Sequence, residues 1–340
     1  VNSAVVEVQD RVQWLEWRRQ GIGGSDAAAV AGLDPFKSPM SVYLSKAGLL
    51  PLDDGDDNEV MRWGRRFEDA IVEEFEERSG LFVDHREERV THPTHPFLRA
   101  TLDGFVYPEP AEHVMPLGIY EAKTASRRGW EWVDGIPEHV QIQCQHNLAV
   151  TGLERAYLAA LLLSPIPRLT IHEIERDDAA IEVLAAIETD FWQRVQERRP
   201  PAVDGSDATT EALKAAYASP NGRMVDMTPE ALDAVRRRML AAKDERVARE
   251  RRQLAESELM LFMGDAETAH LNGRIIVTWK PYTQKRVDAD ALRQKLNFFC
   301  QKHPRFAREL RELPTTTTTS RRLYFKPLAQ TDTDEEDERE

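Results

Sequence analysis

Cysteine is scarce in this chain: Cys144 and Cys300 are the two among 340 residues. That excludes a disulfide scaffold and a four-cysteine zinc or iron–sulfur site. Long apolar runs are also missing. The longest, Tyr157 to Leu163, falls far short of the roughly 20 residues that a bilayer-spanning helix needs. No charged-then-apolar segment opens the sequence, so a cytoplasmic protein without membrane association is expected. Basic excess is the third absence, with a net charge of −14. Much of that charge is local: residues 331–340 carry −6 and residues 53–59 carry −5, leaving −3 for the rest. Both acidic stretches read as solvated segments, so acidity does not exclude a polyanionic partner; it removes the simple argument for one.

What is present is a core. Hydrophobic residues make up 41% and there are seven tryptophans, which excludes a disordered chain. The length suggests about two domains at roughly 150 residues each. Helical spacing of Val12, Leu15 and Arg19 predicts a first helix with Arg19 as a surface charge. A loop, Gly21-Ile22-Gly23-Gly24, follows, with Ser25 as N-cap of a short helix ended by Gly32 and Pro35. Ser38-Pro39 opens another helix, and a periodic helix over 58–79 closes at Gly80. The period then changes to two. Residues 81–90, 97–107 and 117–124 read as three consecutive strands, 137–151 as a helix, 155–163 and 168–176 as strands, and 177–199 as a helix.

These elements predict an α/β domain over 1–200 and a linker over 201–228. A C-terminal region over 229–330 has a long arginine-bearing helix from Thr228-Pro229 to about Met263, and a hairpin over 273–288. A short helix near 291–296 and a strand after the threonines of 315–319 complete it, and 331–340 is expected to be a disordered acidic tail.

Three residues carry the chemical signal. Glu121 and Lys123 are two apart on a predicted strand and leave the same face. Asp103 lies on the preceding strand, where a hairpin would bring it alongside. Two carboxylates and a lysine at one sheet suit a hard, oxygen-liganded divalent cation that polarises a phosphodiester. Of the ten lysines, Lys123 alone has an acid two positions before it. The other reading is an edge strand with its polar face in water. Glu68 reads by position as an i,i+4 partner on a helix surface. Gln141 and Gln145 share a helix face and Gln143 is offset from them; they read equally as surface amides or as groups holding a phosphate or water. The glycine loop lacks the Gly-Lys-Ser/Thr of a nucleotide-triphosphatase, which leaves an anion cradle with arginines just upstream. His92 and His95 read as loop histidines and Cys144 as core.

Taken together, residues 18–48, 63–71 (WGRRFEDAI), 101–105 (TLDGF), 120–124 (YEAKT) and 140–152 resemble the YqaJ-like viral recombinase family. These are relatives of phage lambda exonuclease within the PD-(D/E)xK nucleases. The resemblance implies a restriction-endonuclease-like core, a central mixed sheet flanked by helices, with a helical and β-hairpin C-terminal extension. It implies Asp103, Glu121 and Glu68 as metal-binding carboxylates, Lys123 as the catalytic lysine, and Gln143 as the glutamine of the following helix. Arg18, Ser25 and Thr101 fall where the exonuclease branch holds a 5′-phosphate. The Pro-Asp dipeptide is Leu102-Asp103 here.

The implied activity is a Mg²⁺-dependent exonuclease, with Mn²⁺ as substitute, acting 5′ to 3′ on linear double-stranded DNA. It would leave 3′ overhangs for a single-strand annealing protein in phage recombination, and a ring trimer is a feature of the branch. The rivals are an endonuclease on the same scaffold and a non-catalytic DNA-binding factor, the latter having no need of converging acids. An iron–sulfur exonuclease fails on cysteine count.

Overall fold

The computed structural model describes residues 4–5, 11–51, 59–84, 88–110, 115–125, 132, 135–163, 166–219, 222–280 and 302. Most of the acidic spacer at 53–59, the predicted helix near 291–296, the threonine run, the last strand and the acidic tail lie outside the described residues. The chain divides into a first unit reaching Ser219 and a second unit beyond it.

In chain order the first unit contains β1 (Ala4–Val5), α1 (Arg11–Arg19), β2 (Ile22–Gly23), α2 (Gly24–Val30), α3 (Pro39–Lys46) and α4 (Glu59–Ser79). Then come β3 (Phe82–Asp84), β4 (Glu88–Thr91), β5 (Leu98–Leu102), β6 (Gly104–Tyr107) and β7 (Gly118–Ala125). The last group is α5 (Glu138–Thr151), β8 (Arg155–Leu162), β9 (Arg168–Glu175), α6 (Asp178–Gln196) and α7 (Asp207–Ala216). The second unit holds α8 (Pro229–Met263), β10 (Thr268–Leu271) and β11 (Arg274–Thr278). Among the described residues no helix is long and apolar enough to cross a membrane.

Capping residues set the helix ends as the sequence predicts. The Ser38 hydroxyl accepts from Ser41 N at 3.1 Å and opens α3, and Asp177 accepts from Ala179 N and Ala180 N to open α6. Thr228 caps α8 in the same way, with Pro229 in its first turn. Gly80 and Gly152 close α4 and α5 at positive φ, +70° and +72°, which side chains rarely adopt.

The strands differ from the expectation in one instructive way. Residues 81–90 and 97–107 are each split, and their halves belong to different sheets. A four-stranded sheet runs β1-β4-β5-β2, and a five-stranded sheet runs β3-β6-β7-β8-β9. The larger sheet is mixed: β7 and β8 are parallel, and its other pairs are antiparallel. Period-two alternation runs unbroken through Asp103, so the pattern carries no mark of the point where β5 ends and β6 begins. The mixed sheet flanked by helices is the fold class the sequence predicts. Helix α4 covers one face of the larger sheet, with Phe75 packed on Tyr120 at 5.2 Å between ring centroids. Helix α5 covers the other face through Val140, Cys144 and Leu148.

Two further expectations are corrected. Residues 207–216, inside the predicted linker, form α7. Its Ala212 is buried with Met40 and Tyr43, and Thr209 donates to the Ser38 hydroxyl at 2.7 Å. Small polar residues there build a capped helix, not a tether. Residues 281–288 of the predicted hairpin lie outside the described residues, and β11 pairs with β10 before it in a hairpin that the sequence does not predict. Its turn is Asn272-Gly273, both at positive φ, the pairing that a two-residue hairpin turn favours.

One buried pair ties these layers together. His146 of α5 is 1% exposed. Its Nδ1 meets Glu188 Oε1 of α6 at 2.7 Å, and its Nε2 meets the Arg99 carbonyl of β5 at 2.9 Å. Both partners accept, so the ring serves them best as a doubly protonated imidazolium. Burial pulls its pKa down, but Glu188 and the carbonyl outweigh burial and hold it above the ordinary 6.5. Glu188→Ala should therefore cost roughly 3–5 kcal/mol in urea denaturation, because it leaves the cation unpaired. Because the native histidine pKa is raised, the pair's contribution is complete below pH 6.5. The difference between variant and wild type should shrink as pH rises through the native value.

Candidate active site

Strand β7 is buried from Gly118 through Glu121 and half-buried from Ala122 onward, so its C-terminal half opens toward solvent. Asp103 sits where the chain leaves the smaller sheet for the larger one. Its Oδ2 accepts from Ala122 N at 2.8 Å, which pins it beside β7. Glu121 is 2% exposed and is gripped on both oxygens. Oε1 accepts from Lys123 Nζ at 2.5 Å and from Gln143 Nε2 at 2.6 Å. Oε2 accepts from Asn147 Nδ2 at 3.3 Å. Asp103, Glu121, Lys123 and Gln143 thus converge at β7.

Burial pushes the Glu121 carboxyl up to about 7; Lys123 opposes the rise, and the nearby Asp103 and Glu68 add to it. Lys123 is raised as well. Burial alone would lower it, but Glu121 and Asp103 hold it above its usual value. Glu68, on α4, contributes to the same field and lines a cavity of about 260 Å³ with Met61, Gly64, Arg65, Ile71, Ala122, Lys123 and Thr124. Among the described residues no group of three acidic, histidine or cysteine side chains is arranged to hold an ion, which leaves the pair Asp103 and Glu121. The donor set fits Mg²⁺, which binds through one or two carboxylates and keeps several waters. Glu121 Oε2 accepts one hydrogen bond and keeps a lone pair, and a cation there would offset the repulsion from Asp103 that adds to burial in raising Glu121.

A second polar cluster surrounds the glycine loop. Arg18 Nη2 donates to Ser25 Oγ at 3.0 Å. Ser25 is not the N-cap of α2. Gly23 takes that place, which puts Ser25 inside the first turn with its hydroxyl exposed. The adjacent Asp26 is buried among three cations: Lys46 at 2.7 Å, Lys37 at 3.5 Å and Arg18 at 3.7 Å. Despite burial, which raises it, these three hold the Asp26 carboxyl far below the usual range. Lys46 also donates to the Arg18 carbonyl at 2.8 Å. A cavity of about 450 Å³ opens here, with Arg18, Arg19, Ser25, Lys37 and Lys46 in its walls. Arg19 is therefore not the plain surface charge that its spacing suggests; it lines this cavity and donates to the Leu50 carbonyl at 2.8 Å.

Thr101 lies on β5 opposite Arg89 of β4, and no hydrogen bond joins it to Arg18 or Ser25 among the described residues. Gln141 and Gln145 bind the Ile136 and Glu175 carbonyls at 2.7 and 2.8 Å, so of the three glutamines Gln143 alone reaches Glu121. His92 Nδ1 accepts backbone N–H groups of Thr94 and His95 within its loop, and Cys144 is buried in the core. Asn147, Asp26, Lys37 and Lys46 escape the sequence reading. The spacing of Gln143 and Asn147, four apart on one helix, is the signal that would have found Asn147.

A split mixed sheet with an Asp, Glu, Lys and Gln cluster at β7, beside a cation-lined glycine loop, defines the class, and the comparisons name it. The YqaJ-like viral recombinase domain matches residues 13–154. The uncharacterized protein YqaJ of Bacillus subtilis (strain 168) is 34% identical over 291 residues, 84% of this chain and 88% of that protein. The chain belongs to the YqaJ-like viral recombinase family. Among solved structures it is similar to an alkaline exonuclease from Laribacter hongkongensis, with a TM-score of 0.44 and 18% identity over 55% of this chain and 94% of that one. It is also similar to a phage-related exonuclease from Haemophilus somnus 129PT, with a TM-score of 0.38 and 16% identity over 52% and 96%.

The Asp26 cluster is testable apart from any activity. Asp26→Asn should cost roughly 3–5 kcal/mol of folding stability, because it leaves the buried Lys46 without its counter-charge. The native carboxyl is lowered, so its contribution is complete above the ordinary value of 3.8 and fades as pH falls below it. Chemical denaturation of variant and wild type at several pH values reads both effects.

Proposed function

We propose that this chain is a divalent-metal-dependent deoxyribonuclease that degrades one strand of linear duplex DNA from its 5′ end. The product would be a 3′ overhang handed to a single-strand annealing protein during phage recombination in a bacterial cytoplasm. A ring of three copies enclosing the duplex belongs to the same proposal. The observation that carries it is the pairing of two unlike sites. Asp103, Glu121 and Lys123 suit phosphodiester cleavage. The cavity with Arg18, Ser25 and Lys37 suits a terminal phosphate, through arginine's paired N–H donors and the serine hydroxyl. Locally this wall is cationic, which lets an acidic protein take a polyanion.

Asp103 and Glu121 would hold Mg²⁺ or Mn²⁺, with Glu68 assigned to the same ion by family position, and the ion would supply Lewis-acid polarisation of the phosphate and a more acidic water. Lys123 places a positive charge beside the reacting phosphate and offsets the negative charge that gathers in the transition state. Gln143 keeps Glu121 oriented. Arg18 and Ser25 hold the DNA end, with Thr101 assigned to the same role by family position, so that each cut restores the same register.

One gel tests the reading: linear and closed circular duplex, with 5′-phosphate or 5′-hydroxyl ends on the linear form, in Mg²⁺ or chelator. Loss of 5′-phosphorylated linear DNA in Mg²⁺ alone, with circles intact, is expected. Cutting of closed circles as fast as linear DNA would replace the exonuclease with an endonuclease.

Two variants refine the assignment. Lys123→Ala should lower turnover by about 10²–10³-fold with DNA binding retained in Ca²⁺, read by single-turnover cleavage and by fluorescence anisotropy. Wild-type turnover in that variant would remove Lys123 from the chemistry. Arg18→Ala should erase most of the preference for 5′-phosphate ends in both binding and turnover, while calorimetric Mg²⁺ affinity stays unchanged.

A further inference from the structure

We infer that Asn147 is a positioning residue that links the DNA-end cradle to the catalytic carboxylate, so that a bound 5′-phosphate acts on turnover as well as on affinity. The inference rests on the exonuclease reading above and assigns Asn147 a role within it.

Three observations carry it. First, Asn147 is 1% exposed, and its amide nitrogen holds Glu121 Oε2 at 3.3 Å. Second, the amide oxygen abuts the glycine loop. A Cβ added to Gly24 would stand 2.3 Å from Asn147 Oδ1 and 3.2 Å from Gln143 Cγ. Gly24 opens α2 and precedes Ser25, so the start of that helix packs closely on the Asn147 amide and on the side-chain stem of Gln143, the two residues of α5 that grip Glu121. Third, Asn147 Oδ1 is buried without a hydrogen-bond partner among the described residues. An apolar side chain would avoid that penalty, so the amide is explained by what its nitrogen holds and by what its oxygen touches.

The contact can transmit a displacement. Packed interiors pass strain on instead of absorbing it, and Asn147 is short and tethered at its nitrogen. Arg18 and Ser25 already meet at 3.0 Å, so a phosphate that takes up their donors displaces Ser25, moves Gly24 against or away from Asn147, and Glu121 follows. A residue that merely filled space would, when truncated, lower stability and activity alike on every substrate.

The test compares kcat and KM on one linear duplex carrying a 5′-phosphate or a 5′-hydroxyl, with end-dependent binding measured separately in Ca²⁺. Wild type should show a kcat ratio between the two ends of about tenfold, within the range of typical site-to-site couplings. Asn147→Ala should bring that ratio close to one while the binding preference for the phosphate persists. Arg18→Ala, by contrast, loses both. Gly24→Ala should also abolish the kcat ratio. Should its crowded methyl prevent folding, the double variant Gly24→Ala/Asn147→Ala gives the methyl the room that the amide leaves, and it should behave as Asn147→Ala does. A kcat ratio unchanged in Asn147→Ala, or an equal loss on both ends with the ratio preserved, overturns the inference and leaves the exonuclease reading standing. A wild type indifferent to the 5′-phosphate overturns both.

Discussion

The buried carboxylate of Glu121 is the constraint from which the rest of the site follows. Removing an ion from water costs several kcal/mol even after relaxation, and hydrogen bonds to a charged group return about 1.5–3 kcal/mol each. Three donors on one carboxylate could offset that cost, yet the group still rises to about 7, so burial and the neighbouring acids prevail. Two of those donors are neutral amides on α5. An arginine or lysine in place of either amide would hold the carboxylate as a closed ion pair and blunt its pull on a divalent cation. Gln143 and Asn147 fix its position without neutralising it, and Lys123 supplies a positive charge in contact, the one such among the described residues.

The glycine loop solves the opposite problem. Three cations must stand close together without driving one another apart, and Asp26 sits among them as a shared counter-ion. One carboxylate against three cations leaves a net positive wall inside a chain whose total charge is −14. The overall charge thus says little about the partner, because the field that a ligand meets is set within a few ångströms.

What was legible in the sequence follows the range of the interaction. Helix caps, the αL glycines after α4 and α5, and the same-face placement of Glu121 and Lys123 are decided within a few residues, and all can be read from the order of side chains. Strand order also offers Asp103 through a hairpin, while the resemblance adds Glu68 and Gln143, whose approach to β7 depends on contacts that no spacing reveals. The break at Asp103 is hidden because β5 and β6 share one unbroken alternation and differ only in which strands they pair with. Lys46 looks like an ordinary last-turn lysine until the fold sets it against Asp26, and Asn147 looks like one more polar residue on a helix whose partner lies 26 positions away. α7 is hidden for another reason: its composition matches a linker, and only packing against α3 makes it a helix.

The two halves of the site are joined to the scaffold at the same places that carry the acids. Arg99 of β5 donates to the Trp17 carbonyl at the end of α1, next to Arg18, and it also lies over the Trp17 ring at 5.0 Å. β5 runs directly into Asp103, so Arg18 is fastened to the strand that delivers one acid. Ser25 follows Gly24, which leans on α5, the helix that orients the other. His146, one residue before Asn147, closes the circuit by accepting a place between Glu188 and the Arg99 carbonyl. A frame built this way fixes the separation between a cation-lined wall and a pair of carboxylates through two independent routes, and a fixed separation is what the proposed repeated cleavage from an end would require.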